Sequence, residues 1–245
     1  MSNAAIGLTF KNYEGVDYEE FWRGAGREYE DRVERRIIEH VMRGGGAMAD
    51  IGAGFGRLGA CYVGKYERVA MVEPASNLRE IAQRIYRDRV QYYDNSIYQL
   101  PFPDGSLDAI MTVRVVHHLA EPERAIREMH RVLKPGGTML FEYSNKRNIA
   151  RIAKFLLLGR GENPFTPTMT KYLKDLVGHH PAVMTDYIER AGFEVTAEYG
   201  AGITDKIVKV LPFLVHVLRR PSITAAAILG RLRLAPMIFV VARKK

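Results

Sequence analysis

Apolar residues recur every three to four positions early in the chain. Phe21, Trp22, Tyr29, Val33, Ile37 and Val41 fall near one face, which predicts a helix over 18–43. The period then shortens. "AMADI" (47–51) predicts a buried strand that runs into four glycines, Gly52, Gly54, Gly56 and Gly59. After them the pattern alternates: a helix over 57–66, a strand over 68–73, and a helix over 76–88 with Ser76 as its cap. Next come a strand over 90–93 and an apolar strand over 107–113, buried on both faces. An amphipathic helix over 121–133 ends at "KPGG", and a strand follows over 138–143. Past residue 143 the rhythm breaks. A basic, apolar helix, "NIARIAKFLLLGR", precedes "GENPFTPTMT" and "GHHP". It resumes with a helix over 182–192 and a strand over 193–199, breaks again over about 200–235, and closes with a strand over 236–243. Strands alternating with helices predict a doubly wound α/β architecture, with a mostly parallel sheet and helices on both faces.

With 245 residues, 47% hydrophobic and 26% charged, the chain fits one large α/β domain. The lone Cys61 excludes a disulfide framework and a cysteine-based metal site, and no metal is expected. The first residues lack a signal-peptide layout, and no apolar run approaches the roughly 20 residues of a membrane span. The expectation is a cytoplasmic protein that is soluble or peripheral at a membrane surface. Charge is unevenly spread. Residues 145–245 hold 17 Lys+Arg against 7 Asp+Glu, so the basic excess of +8 lies wholly in the last hundred residues. Anionic partners follow from that: phospholipid, nucleic acid or a phosphorylated substrate. Nucleic acid is disfavoured, because no nucleic-acid motif is present and the basic residues alternate with aliphatic ones more than with aromatics. The stretch 203–220, "ITDKIVKVLPFLVHVLRR", reads as an amphipathic helix split at Pro212. It can pack on its own domain, cap a pocket or lie in a membrane interface.

The order strand, glycine loop, helix, strand, acid is a nucleotide-binding layout. Glycines let a ligand touch backbone, and Glu73 at the end of the second strand can accept bonds from both ribose hydroxyls. Arg57 stands where the dinucleotide fingerprint needs its third glycine, which argues against a nicotinamide-dependent oxidoreductase without removing that alternative. The loop resembles motif I of class I S-adenosylmethionine (SAM) dependent methyltransferases. "LPFPDGSLDAI" (100–110), "VRVVHHL" (113–119) and "REMHRVLKPGG" (127–137) are similar to the ubiquinone/menaquinone-methyltransferase-like (type 11) branch.

That resemblance implies a Rossmann-like, seven-stranded, mostly parallel sheet with an antiparallel last strand, plus helical insertions forming a cap. It divides the chain into an N-terminal helical lid (1–46), a SAM-binding core (47–143), two insertions (144–181 and 200–235) and the end of the core (182–199 and 236–245). It implies that Asp50, Gly52, Ala53, Gly54 and Gly56 hold the methionine end of SAM, and that Glu73 and Pro74 lie at the ribose. Asn95, Ser96 and Ile97 would face the adenine, with Ser96 where relatives often carry an aspartate. Arg114 would approach the methionine moiety through its backbone. His117 and His118, after the fourth strand, are candidate bases for an acceptor hydroxyl, and Tyr143, beside Glu142, is a further candidate at the acceptor. His179 and His180 are expected to cap the next helix. The acceptor is expected to be a small or lipid-like molecule. A non-catalytic module binding membrane or nucleic acid on the same scaffold is the other alternative, and oligomeric state is not legible.

Overall fold

Met48 and Asp50 face one side of the sheet and Ala47, Ala49 and Ile51 the other, as the period-two pleat requires. The computed structural model describes residues 22, 25–173, 176–202 and 222–245. Phe21 and the rest of the expected helix ahead of residue 25, Trp22 apart, lie outside these residues, as does the 203–220 helix. Nine strands and six helices are followed here: α1 (Ala25–Val41), β1 (Gly45–Ile51), β2 (Tyr66–Val72), α2 (Ser76–Tyr86), β3 (Gln91–Tyr93), β4 (Leu107–Thr112), α3 (Pro122–Val132) and β5 (Leu133–Ser144). Then come α4 (Ile149–Leu158), β6 (Thr170–Leu173), β7 (Leu176–Gly178), α5 (Pro181–Arg190), β8 (Phe193–Ala201), α6 (Ile223–Arg231) and β9 (Met237–Lys244).

The main sheet has seven strands in the order β3-β2-β1-β4-β5-β9-β8. Its pairs from β3 through β5 are parallel, and β9 runs antiparallel to both β5 and β8. Strand order therefore reverses between β1 and β4, the place where open α/β sheets take ligands at their carboxyl ends. Central strands are apolar on both sides because both sides are covered. Tyr29, Val33, Ile37, Ile38 and Met42 of α1 and its end pack with Met48, Met71, Met111 and Phe239. On the opposite face Ile126 and Met129 of α3 and Met184 and Ile188 of α5 pack with Ile110, Phe141 and Ile238.

Four expectations change. Residues 57–66 form a single 3-10 turn, Gly59–Cys61, not a helix. A side chain at Gly59 would meet the Tyr86 ring within 2.6 Å, so the segment is shaped by close packing on α2 and has too many glycines to propagate a helix. Ala75, not Ser76, caps α2; the Glu73 carboxylate bonds the Ala75 N–H there instead. β5 starts at Leu133, inside "LKPGG", with a register irregularity against β4. The insertion over 144–181 is not wholly helical: α4 is followed by an antiparallel pair, β6–β7.

Candidate active site

A cavity of about 260 Å³ opens at the carboxyl ends of β1, β2 and β4. Its wall includes Asp50, Gly52, Ala53 and Gly54 from the loop after β1, and Glu73 and Pro74 after β2. Asn95 and Ile97 come from beyond β3, and Arg114 and His118 from beyond β4. Phe55, Leu58, Leu78, Val113 and Val115 supply apolar surface that the sequence reading did not single out.

The glycines serve different ends. At Gly56 a Cβ would lie 2.8 Å from the Tyr86 ring, whose hydroxyl donates to the Gly56 carbonyl at 2.9 Å. Gly56 is thus a packing position outside the cavity wall, a correction to its expected place at the methionine end. Gly54 is the opposite case. It has φ +57° and nothing within 4 Å of where a Cβ would stand. Its N–H donates to Glu73 Oε2 at 2.9 Å, while Glu73 Oε1 accepts from the Ala75 N–H at 2.9 Å. A carboxylate so fixed beside bare backbone fits a ligand with vicinal hydroxyls, and the space at Gly54 is a cradle that any side chain would fill.

Asp50 is buried, and Tyr62 donates its hydroxyl to Asp50 Oδ2 at 2.6 Å. Burial pushes its carboxyl up to about 7, against the lowering effects of that hydrogen bond and of Arg57. A cation held in the cavity would favour its ionised form.

Two arginines flank the cavity, and α1 supplies their counter-charges. Arg57 pairs with Asp31 and, at 2.5 Å, with Glu34. Arg114 pairs with Glu30 and, at 2.5 Å, with Glu34. Trp22 lies over Arg57, its ring centroid 3.5 Å from the guanidinium carbon. Glu34 is fully buried and shared by both guanidiniums. The residue pattern alone does not single these acids out; Glu34 lies four residues after Glu30 and three after Asp31, spacings that bring helix side chains to neighbouring positions.

Arg114 has φ +66°, a left-handed conformation unusual for a residue with a side chain. Its N–H donates to Glu142 Oε2 at 2.7 Å. Glu142 is buried, and burial pushes it up to about 7 against the lowering effect of Arg114. A raised carboxyl holds its proton in the folded state where the unfolded chain has lost it. Stability therefore falls as pH rises from about 4.5 to about 7. Glu142→Gln, which keeps an acceptor for the Arg114 N–H, is expected to flatten that fall by about 2 kcal/mol. Urea unfolding at about pH 5 and about pH 8 checks this; an equal stability difference from the parent at both would overturn it.

The remaining expected residues divide. His118 is buried on the cavity wall, its ring 4.2 Å from that of His117. His117 stands outside the wall because the 3-10 turn Val116–His118 points successive side chains apart. Ser96 is also outside it; its hydroxyl accepts from the Tyr98 N–H at 3.3 Å, a local turn that draws it back to its own loop. Tyr143 is buried on the opposite sheet face from Glu142, as the pleat dictates, packed with the α3–α5 core and away from the cavity. Burial holds its hydroxyl well above the ordinary range. His180 caps α5 as expected, accepting from the Ala182 N–H at 3.3 Å. His179 does not: it is buried, with Nε2 3.4 Å from the Val116 carbonyl, and burial lowers its pKa to about 4. Among the described residues, no group of three or more His, Cys, Asp or Glu is placed to hold a metal ion.

Residues 49–141 match the family model of a methyltransferase domain. The ubiquinone/menaquinone biosynthesis C-methyltransferase of Vibrio campbellii is 29% identical over 176 residues, 66% of this chain and 66% of that protein. The chain thus spans just under two thirds of that relative's length. Among solved structures, an S-adenosylmethionine dependent methyltransferase from Mesorhizobium loti is similar with a TM-score of 0.61 at 20% identity, over 86% of this chain and 98% of that one. The [4+2]-cyclase SpnF is similar with a TM-score of 0.62 at 21% identity, over 95% and 86%. These two likenesses concern the fold. Taken with the domain match and the sheet order, they show that the chain has the fold of the class I methyltransferases and carries a methyltransferase domain over residues 49–141. The chain is similar to the ubiquinone/menaquinone-methyltransferase branch, and a methyltransferase domain of this kind implies SAM as the cosubstrate. The domain match argues against the nicotinamide alternative.

Proposed function

We propose that this chain transfers the methyl group of SAM to a small, apolar or lipid-like acceptor, with ring carbon as the favoured acceptor atom. The observation that carries the reading is the Gly54–Glu73 pair: bare backbone and a fixed carboxylate on one wall of a cavity whose other surface is largely apolar. The Vibrio relative's description as a C-methyltransferase supports carbon.

SAM supplies an electrophilic methyl on a sulfonium. The residues' task is to hold and align, since orienting two reactants can contribute roughly 7–11 kcal/mol. Glu73 would accept from the ribose hydroxyls, Asn95 and Ile97 would border the adenine, and Asp50 with the Gly52–Gly54 backbone would border the methionine moiety. Phe55, Leu58 and Val113 exclude water from the apolar part of the cavity. A phenol or quinol becomes nucleophilic at ring carbon when its hydroxyl loses a proton, and His118 is the residue of the cavity wall suited to take it. The α1 acids, by holding Arg57 and Arg114, close the side of the cavity next to Trp22, consistent with a lid role for the N-terminal part.

The test is to incubate the chain with methyl-labelled SAM and a lipid extract, beside calorimetric titration with S-adenosylhomocysteine. Label is expected in the organic phase and binding in the calorimeter. Label confined to the aqueous phase would overturn the lipid-like acceptor. Absence of binding would overturn the reading as a whole.

A further inference from the structure

None of the ten residues of helix α4 is fully buried: Arg151, Ile152, Ala153 and Phe155 are half-buried and the other six are exposed. Its ends are nonetheless well made. The Asn148 side chain accepts from the Arg151 N–H at 3.2 Å, and Gly159 closes the helix at φ +57° with its N–H on the Phe155 carbonyl. Ten residues are too few for a helix to persist on propensity alone, and the half-buried side supplies its support while the opposite side stays open. What α4 offers is apolar: Ile149, Leu156, Leu157 and Leu158 are 48%, 64%, 79% and 63% exposed. Phe165 follows in the next loop at 43%, and Leu232 is 55% exposed. Leu232 belongs to the same surface region, because the Ile149 N–H donates to the carbonyl of nearby Leu234 at 2.9 Å and Asn145 Nδ2 donates to Arg233 and Ala235 carbonyls.

Charge decides what covers this surface. Residues 145–160 contain Lys146, Arg147, Arg151, Lys154 and Arg160 and no acid. Lys146 is buried, while Lys154 and Arg160 are exposed. The chain's own 203–220 segment is apolar enough to be a partner, but it carries Lys206, Lys209, Arg219 and Arg220 against Asp205, the same sign of charge. An aliphatic ridge ringed by cations fits an anionic phospholipid surface, where acyl chains take the leucines and headgroups the lysine and arginines. Position agrees. β5 is parallel to β4 and ends at Ser144, so α4 leaves the same carboxyl edge at which the cavity lies. No helix among the described residues is long and apolar enough to cross a membrane.

We propose that α4, with Phe165 and Leu232, seats the enzyme on an anionic bilayer with the cavity edge toward the lipid. The benefit of that orientation rests on the lipid-like acceptor proposed above; the binding itself does not, and is measured without turnover. Full-length chain is sedimented with phosphatidylcholine vesicles, with or without phosphatidylglycerol. Wild type is expected to pellet with the anionic vesicles. Lys154→Ala should weaken binding about fivefold, the effect of one surface charge, and the pair Leu156→Glu and Leu157→Glu should bring it to background. S-adenosylhomocysteine titration of each variant should match wild type, which separates lost docking from lost fold. On wild type, hydrogen exchange should show new protection over 149–158 when anionic vesicles are added. Wild type left in the supernatant, equal pelleting with neutral vesicles, protection confined to other segments, or a dimer in sedimentation velocity that the leucine variants dissolve would each overturn the proposal.

Discussion

Gly54→Arg is expected to abolish detectable binding of SAM and S-adenosylhomocysteine, a loss of at least about 100-fold, while leaving a folded protein. The two effects separate because of where Gly54 sits. Its φ of +57° costs a residue with a side chain about 1–2 kcal/mol, which a domain of this size tolerates. Nothing of the protein lies within 4 Å of the new Cβ, so no core contact is broken. The side chain extends instead into the cavity, over the wall where the Gly54 N–H meets Glu73. Gly54→Ala carries the same backbone strain with one methyl and should bind at an intermediate level. Calorimetric titration beside thermal unfolding reads both quantities. An unchanged dissociation constant for the arginine variant would mean that the cofactor does not lie against residue 54.

Glu73→Ala comes next in expected effect. The carboxylate is buried and accepts two backbone N–H groups, from Gly54 and Ala75, before any ligand arrives. Hydrogen bonds to a charged group contribute about 1.5–3 kcal/mol each, and losing those from a ribose should weaken S-adenosylhomocysteine about 100-fold or more. The free protein should also lose about 1–3 kcal/mol, because two orphaned amides remain and the N-terminus of α2 loses the negative charge that precedes it. Glu73→Gln keeps one acceptor oxygen but turns an NH₂ group toward a donor, so it should recover part of the stability and little of the affinity. Equal losses for both variants in affinity and stability would point to a structural carboxylate alone.

Much of this architecture is legible in residue order. Alternating apolar strands and amphipathic helices suffice for the parallel sheet, since a strand covered on both faces has to be apolar on both. The strand–glycine–acid spacing locates the cavity. What eludes sequence reading has identifiable causes. The expected helix over 57–66 fails because Gly56 and Gly59 answer to the Tyr86 ring, a partner far along the chain. Tyr143 has the right strand and the wrong parity: it lies one residue beyond Glu142 and therefore on the other face. Ser96 has the right loop, but its hydroxyl is taken by its own backbone. Glu30, Asp31 and Glu34 are unreadable as site residues because only the tertiary approach of Arg57 and Arg114 turns that face of α1 inward.

The shared carboxylate of Glu34 has a mechanical corollary. Like a keystone between two stones that would otherwise push apart, it touches the glycine-loop arginine and the arginine beyond β4 at once. A version of the chain trimmed to start after Val41 would leave both cations at the rim without the carboxylate they share. Their mutual repulsion would spread the two loops, and a shortened protein would forfeit its grip on the nucleoside although every residue lining the cavity had been retained.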